Sequence, residues 1–336
     1  MPAQPIEYDS EDMLRTIHHF VPRSYLKRFA RPDKPFQIYT YEIDRDPYST
    51  NIDNVAGQRD FYTYTDLKTN KETSTLESAF ADIDSKGVDI LKVLDDMEDG
   101  FIELTEEQKG NLFYYIAHLH TRNLQQRKQF AEAYGQMSLV QMQFIASEKE
   151  YFHQMANEAH GENYTYEKGE EARQSILKGE MKVNFDPMSE HFLGATLENA
   201  QNLYFILMKL KRAALLTITS GSKRFVTSDN PVTHYLENDD PRRGMGVGYI
   251  NAIFQLPISP TRCLLLIDNQ YEIDEFECNE DHVDHMNYYT YRYADRWIFS
   301  HEKSAIVSEM FNTYKAKEPM MTISSPFGNT PKTSER

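Results

Sequence analysis

Cysteine is nearly absent from this chain. Two residues among 336, Cys263 and Cys278, exclude a disulfide framework and argue strongly against a cysteine-based structural zinc site, and both read as ordinary semi-buried thiols. Long apolar runs are missing too. No stretch approaches the roughly 18 residues of a membrane span, and the opening MPAQPIEYDSEDMLRT has neither the basic nor the apolar region of a signal peptide. A cytoplasmic protein without membrane association is expected. Glycine-rich phosphate loops of the P-loop and Rossmann types are also lacking, which argues against nucleotide binding by either route. Basic residues are scarce: 36 Lys and Arg face 52 Asp and Glu, a formal net charge of −16. Sequence-independent coating of DNA, which rests on Lys and Arg displacing counterions, is therefore disfavoured. Local exceptions are RSYLKRFAR (Arg23 to Arg31) and TRNLQQRK (Thr121 to Lys128), which leave room for a basic groove or read simply as solvated helix faces.

Apolar residues recur throughout, and no linker composition interrupts them before about residue 315. One composite domain over 17–314 is expected, preceded by a polar lead-in (1–16) and followed by a flexible tail (315–336). The fold class is α+β, a central helical bundle flanked by an N-terminal β-containing lobe (17–72) and a late, mostly antiparallel sheet within an α/β end (218–314). In the N-terminal lobe, HHFVPRSYLKRFA predicts a short extended entry and a small helix, with Tyr25, Leu26 and Phe29 at helical spacing. PFQIYTYEID and RDFYTYTD predict an antiparallel strand pair across the turn-rich DRDPYSTNIDN. The helical middle (73–217) opens with Leu76, Phe80, Ile83, Ile90, Leu91 and Leu94 three or four apart, and carries a capping box at Thr105 and Gln108. Its last helix is expected to start at Asp186-Pro187 and to run through LENAQNLYFILMKLKRAALLTI. Beyond Gly221, KRFVTSDNPV, YINAIFQLPISP and RCLLLID read as strands, followed by a helix across NEDHVDHMNYYTYRYA, a strand at RWIFS and a helix from Lys303 to Tyr314.

Five constellations could carry chemistry. His18 and His19 precede Pro22; an imidazole titrates near neutrality and can act as a general base or ligate a metal, or the pair can hydrogen-bond the strand and cap a turn. The pair resembles the opening of a His-metal-finger nuclease motif, with Asn51 and Asn54 downstream, but no closing His or Asn follows. Glu77 and Asp84 stand two turns apart on nearly one helix face, suited to a hard divalent cation, to divided acid and base roles, or to a solvated face. His118 and Arg122, with His120 between them, share a face on which imidazole and guanidinium could meet an anion, although Arg122 could equally pair with an internal acid. Ser228-Asp229-Asn230-Pro231 follows a strand, where functional side chains and ligand-free Asx turns both occur. His282 and His285 are an i, i+3 pair without an evident third ligand.

Taken together, His19-Phe20-Val21-Pro22 with Tyr25, Leu26 and Phe29, RDFYTYTD, Glu77, Arg122 and Ser228-Asp229-Asn230-Pro231 resemble the bacterial family known as domain of unknown function 4238, over residues 17 to 300. Its H-x-x-P-x-x-Y-L-x-x-F opening and late S-D-N-P occur here in order. Where members often carry Glu seven residues after the Glu77 position, this chain has Asp84. The resemblance implies no chemistry; it groups His19, Glu77, Arg122, Asp229 and Asn230, as residues of one cleft or of a polar network.

These residue types suit a hydrolase, a metal-assisted phosphodiesterase or nuclease acting on nucleic acid or nucleotide in bacterial defence. His19 would be the general base, Glu77 and Asp229 ligands of Mg or Mn, Arg122 the phosphate holder and Asn230 the substrate-orienting amide. The alternative is a non-catalytic sensor of a ligand or partner in a stress or phage-defence system. A third reading is a metal-free enzyme acting on a nucleobase or sugar through its carboxylates.

Overall fold

The computed structural model describes residues 17–66, 71–73, 75–236, 252–270 and 277–315. The chain is α+β, and its described residues form two compact units, one built from the segment up to Gln126 together with Leu193–Lys315, the other from Arg127–Phe192.

In the first unit the chain opens with β1 (Ile17–His19), a single helical turn α1 (Arg23–Leu26) continued as 3-10 helix to Phe29, and β2 (Gln37–Tyr41). The partner of β2 is β3 (Tyr48–Asn51), inside the segment expected to be a turn. The reversal is made earlier, at Asp44, whose φ of 56° takes the left-handed conformation that Asp tolerates in tight turns. RDFYTYTD is correspondingly split: β4 (Gly57–Arg59) pairs with β1, Asp60 turns the chain at φ 57°, and β5 (Tyr64–Asp66) pairs with β6 (Lys71–Thr73).

Helices α2 (Thr75–Asp95) and α3 (Glu106–Thr121) follow, with the Thr105/Gln108 capping box formed as expected. They approach closely because Gly87 has no side chain; a Cβ there would overlap the Tyr115 ring. Between them lies β7 (Gly100–Phe101), and later in the chain come β8 (Lys211–Thr217), β9 (Thr227–Ser228), β10 (Thr233–Leu236), β11 (Ala252–Ser259) and β12 (Arg262–Asp268). Strands β10-β11-β12-β8-β7 form an antiparallel five-stranded sheet in that order. β8 occupies KRAALLT, which apolar periodicity had assigned to the end of a helix. A short apolar run fits either state; here pairing along the whole length of β12 decides for strand, from Arg262↔Thr217 to Asp268↔Lys211.

The second sheet, β3-β2-β13-β9, joins the N-terminal strands to Ile298–Ser300 (β13) and Thr227–Ser228. The strands of residues 17–72 therefore do not close a lobe of their own. Apolar clusters among the described residues back both sheets. Phe225, Cys263, Leu265, Cys278, Val283 and Met286 pack on the five-stranded sheet, and Tyr41, Val226, Tyr291, Ile298 and Phe311 pack beside the four-stranded one. Both cysteines are buried free thiols.

The expected helical middle is divided between the units. The second is helical, formed by most of α4 (Leu124–Ser147), α5 (Lys149–His160) and α6 (Tyr166–Leu177), and it includes the start of α7 (Glu190–Leu210). α7 begins at Glu190 rather than at Asp186, whose carboxylate instead accepts the Met188 N–H in a preceding turn. His153 stacks on Tyr166 at 4.2 Å and meets Glu170 at 3.0 Å, while Arg173 donates to Glu170 and to the Ala146 carbonyl. In the first unit again, α8 (Glu280–Tyr293) and α9 (Ala305–Tyr314) complete the described chain.

Candidate functional site

The sequence-selected residues fall into two groups with different environments. The first lies in a cleft of about 750 Å³, with β1, α1, Phe36 and the Ile52–Asn54 turn on one side and the face of α2 carrying Glu77, Phe80, Asp84 and Val88 on the other. The motif HFVPRSYLKRF places its residues by helical geometry. Tyr25, Leu26 and Phe29 are fully buried, whereas Arg23, Ser24 and Lys27 face outward along the cleft. The Tyr25 hydroxyl donates to the Pro257 carbonyl at 2.6 Å and meets Thr227 Oγ1 at 2.8 Å; Arg28 Nε donates to the Ile258 carbonyl at 2.5 Å. A register shift in β11 between Pro257 and Ser259 turns these carbonyls away from the regular ladder. Most of the motif thus anchors α1 to the sheet, and its apolar positions are structural.

His18 and His19 point opposite ways, as neighbours on a strand must. His18 is buried, stacks on Tyr62 and accepts the Tyr62 backbone N–H at Nδ1 (2.9 Å), which fixes its proton on Nε2. His19 lines the cleft, and its Nε2–H donates to the Asp53 carbonyl at 3.2 Å, so the neutral ring carries its lone pair on Nδ1. Burial lowers the His19 pKa, the Asp53 carbonyl opposes that shift, and Arg23 adds to it.

Across the cleft, Glu77 Oε2 is buried without a hydrogen-bond partner. Burial raises the Glu77 pKa, with Asp84 adding to the shift and Arg122 and Arg23 opposing it. Asp84 is held by Arg122, whose Nη2 donates to Asp84 Oδ1 at 2.5 Å. Arg122 is 2% exposed, lies 5.2 Å over the Phe80 ring, and keeps Nε and Nη1 unbonded. It stands behind the cleft wall as the counter-ion of the two α2 carboxylates, not at a position to hold a phosphate. His118, one turn before it, is buried against Phe80 and Tyr114, and burial with Arg122 lowers its pKa to about 4, so it is a neutral core residue. His120 is likewise buried and bonded to the Val232 carbonyl at 3.0 Å.

The second group is Ser228-Asp229-Asn230, which does not line the cleft. Asp229 accepts the backbone N–H groups of Asp295 (2.8 Å), Arg296 (2.7 Å) and Trp297 (3.1 Å), while its own N–H donates to the Trp297 carbonyl. Burial pushes its pKa up to about 6, aided by Asp295 and opposed by the three N–H donors. Asn230 accepts from Asn123 Nδ2 at 2.9 Å and donates to the Tyr293 carbonyl at 3.1 Å; Asn123 in turn accepts the Gln126 N–H at the start of α4. Both side chains are engaged outside the cleft, so the structure does not bring Asp229 together with Glu77, nor Asn230 to the cleft wall. Among the described residues no group of three or more His, Cys, Asp or Glu could hold a metal ion. His282 completes a capping box with Asn279, and His285 packs edge-on against Tyr235 and Tyr289.

Sequence reasoning missed Phe36 and Asp53, and it marked Arg23 and Lys27 only as part of the basic stretch RSYLKRFAR. Arg23 donates to Asp53 Oδ1 at 2.9 Å, and Lys27 Nζ sits 4.8 Å from the centroid of Phe36, which is 56% exposed. The i, i+4 spacing of Arg23 and Lys27, on the face of α1 opposite its apolar residues, was the available signal.

Fold and cleft define an α+β protein in which a sheet-anchored turn and a long helix enclose a polar, partly desolvated site. The chain belongs to the family described as Protein of unknown function (DUF4238), whose model matches residues 17–304. No curated protein and no solved structure matches it. No helix among the described residues is long and apolar enough to cross a membrane.

Proposed function

We propose that the cleft is the active site of a hydrolase acting on phosphodiesters, in nucleotides or nucleic acid, with His19 as general base and Glu77 as general acid. The observation that carries this reading is that His19 and Glu77 line one cleft with their pKa values displaced toward each other, His19 down and Glu77 up. Two titratable groups poised in this way can divide the two proton transfers of a displacement. His19 Nδ1 takes a proton from water as its oxygen attacks phosphorus, and Glu77 delivers its proton to the departing oxygen. Arg23 and Lys27 supply positive charge beside the transferring group. Phosphodiester recognition gives a chain of this family a place in bacterial nucleic-acid defence.

The test is hydrolysis of bis(p-nitrophenyl) phosphate across pH, with Mg²⁺ or Mn²⁺ and with chelator. The wild type is expected to give a bell-shaped profile that loses its acidic limb in His19→Ala and its basic limb in Glu77→Gln. Unchanged turnover in both variants overturns the assignment. The second reading, ligand or partner sensing without turnover, is favoured by the exposed apolar rim of Ile17 and Phe36, and it predicts saturable binding with no product.

A further inference from the structure

Phe36 is the feature of the cleft that acid–base chemistry leaves unexplained. It is more than half exposed, yet it lines a polar cleft, with the Lys27 ammonium held against its ring. Its position relative to His19 follows from the backbone. The Ile52 N–H donates to the Phe36 carbonyl at 3.0 Å, Asp53 follows Ile52, and the Asp53 carbonyl receives His19 Nε2. The Phe36 backbone and the His19 imidazole are thus linked through Ile52 and Asp53, and both side chains line the cleft. The opposite wall is α2, along which Arg28 reaches Asp95 at one end while Arg23 acts on Glu77 at the other. That arrangement sets Phe36 and Lys27 toward the Asp95 end and the proton-transfer pair toward the Glu77 end.

We infer that the cleft takes a single-stranded nucleic acid, with one unpaired base stacked on Phe36 and the backbone running past Lys27 and Arg23 to a phosphodiester at His19 and Glu77. Every base presents a π-face, so an exposed phenyl ring flanked by cations binds single strands with little sequence preference, whereas a paired base is closed to it. Arg23 is bonded to Asp53, and Lys92, on the α2 wall, to Asp89, in exposed pairs that contribute little to stability and exchange readily for a phosphate. Arg23, Lys27 and Lys92 share the cleft lining with Asp53, Glu77, Asp84 and Asp89, and the chain's net charge of −16 supplies no broad basic face for a duplex, so the stacked base rather than phosphate contacts carries most of the binding. This inference deepens the hydrolase reading and rests on it for the identity of the reacting end.

The experiment is fluorescence anisotropy with fluorescein-labelled hexamers of single-stranded DNA and RNA, and with the DNA hexamer annealed to its complement, using the full chain carrying Glu77→Gln so that binding is read without turnover. Single strands are expected to bind at least tenfold more tightly than the duplex. Adding Phe36→Ala should weaken that binding about tenfold, the lower part of the range for losing one stacked base, and Phe36→Trp should restore it. Phe36 is exposed, so these variants test binding rather than folding. Equal affinity of Phe36→Ala, or equal binding of duplex and single strand, overturns the inference while leaving hydrolysis of the small phosphodiester by the wild type untouched. Conversely, single strands that bind through Phe36 in a wild type that releases no product would remove the hydrolase reading and leave the stacking wall standing.

Discussion

The cleft and the Asp229 bracket start from equally polar motifs and end differently. In the bracket, three N–H groups converge on the Asp229 carboxylate and both ends of the Asn230 amide are occupied. In the cleft, Glu77 Oε2 is buried without a partner and His19 keeps a lone pair in reserve. A polar network that satisfies all its members spends them on holding the structure together; one that leaves groups unmet incurs a cost that folding alone does not explain. The difference indicates that motif membership marks both kinds of residue, and that unmet hydrogen-bonding capacity separates them.

Stability measurements can break that comparison, and the largest effect belongs to the bracket. Asp229→Ala strips the acceptor from three N–H groups and is expected to cost about 3 kcal/mol in urea unfolding; a loss under 1 kcal/mol would refute the bracketing role. Arg122→Met, which leaves Asp84 without its counter-ion in a mostly buried position, is also expected to cost about 3 kcal/mol. It should also raise the Glu77 pKa further, moving the basic limb of the rate profile upward, an effect that mere unfolding would not produce. Tyr25→Phe loses bonds to Pro257 and Thr227 and should cost about 1.5 kcal/mol. Smallest of all, Glu77→Gln should be neutral within about 0.5 kcal/mol, since it relieves the desolvation of a half-buried carboxylate whose Oε2 lacks a hydrogen bond while giving up its attraction to Arg122 and Arg23. A loss near 3 kcal/mol there would place Glu77 with the bracket.

The pH dependence sharpens the same contrast. Asp229 has a folded-state pKa pushed up to about 6, above the ordinary 3.8, so between these values the folded chain binds more protons than the unfolded one. Its contribution to stability therefore increases as pH falls from about 6 toward 4 and fades as pH rises through 6. Urea midpoints for wild type and Asp229→Asn, compared from pH 7 to pH 4.5, should diverge in favour of the wild type on acidification; parallel curves would contradict this.

Much of the fold was legible. The α+β class, the Thr105/Gln108 capping box, the helix across Glu280–Tyr293 and the strand at Ile298–Ser300 follow from periodicity and capping chemistry, which are local. Errors clustered where partners are distant in sequence. Lys211–Thr217 became a strand through β12, and Gln37–Tyr41 found its partners in Tyr48–Asn51 and Ile298–Ser300. At the site, His19, Glu77 and Asp84 were identifiable as candidates, whereas Phe36 and Asp53 belong to no spacing pattern with them.

By itself, then, the sequence determined which segments prefer helix or strand, which family the chain resembles, and which side chains are chemically capable, because propensity, periodicity and side-chain chemistry are properties of a residue and its near neighbours. Tertiary structure alone decided how that capacity is used. Asp229 is enclosed by the backbone of residues 295–297, Arg122 bonds Asp84, and Glu77 Oε2 is left in His19's cleft without a hydrogen-bond partner. The reason is physical: whether a polar group is satisfied depends on donors brought to it by folding, and those donors lie tens to hundreds of residues away along the chain.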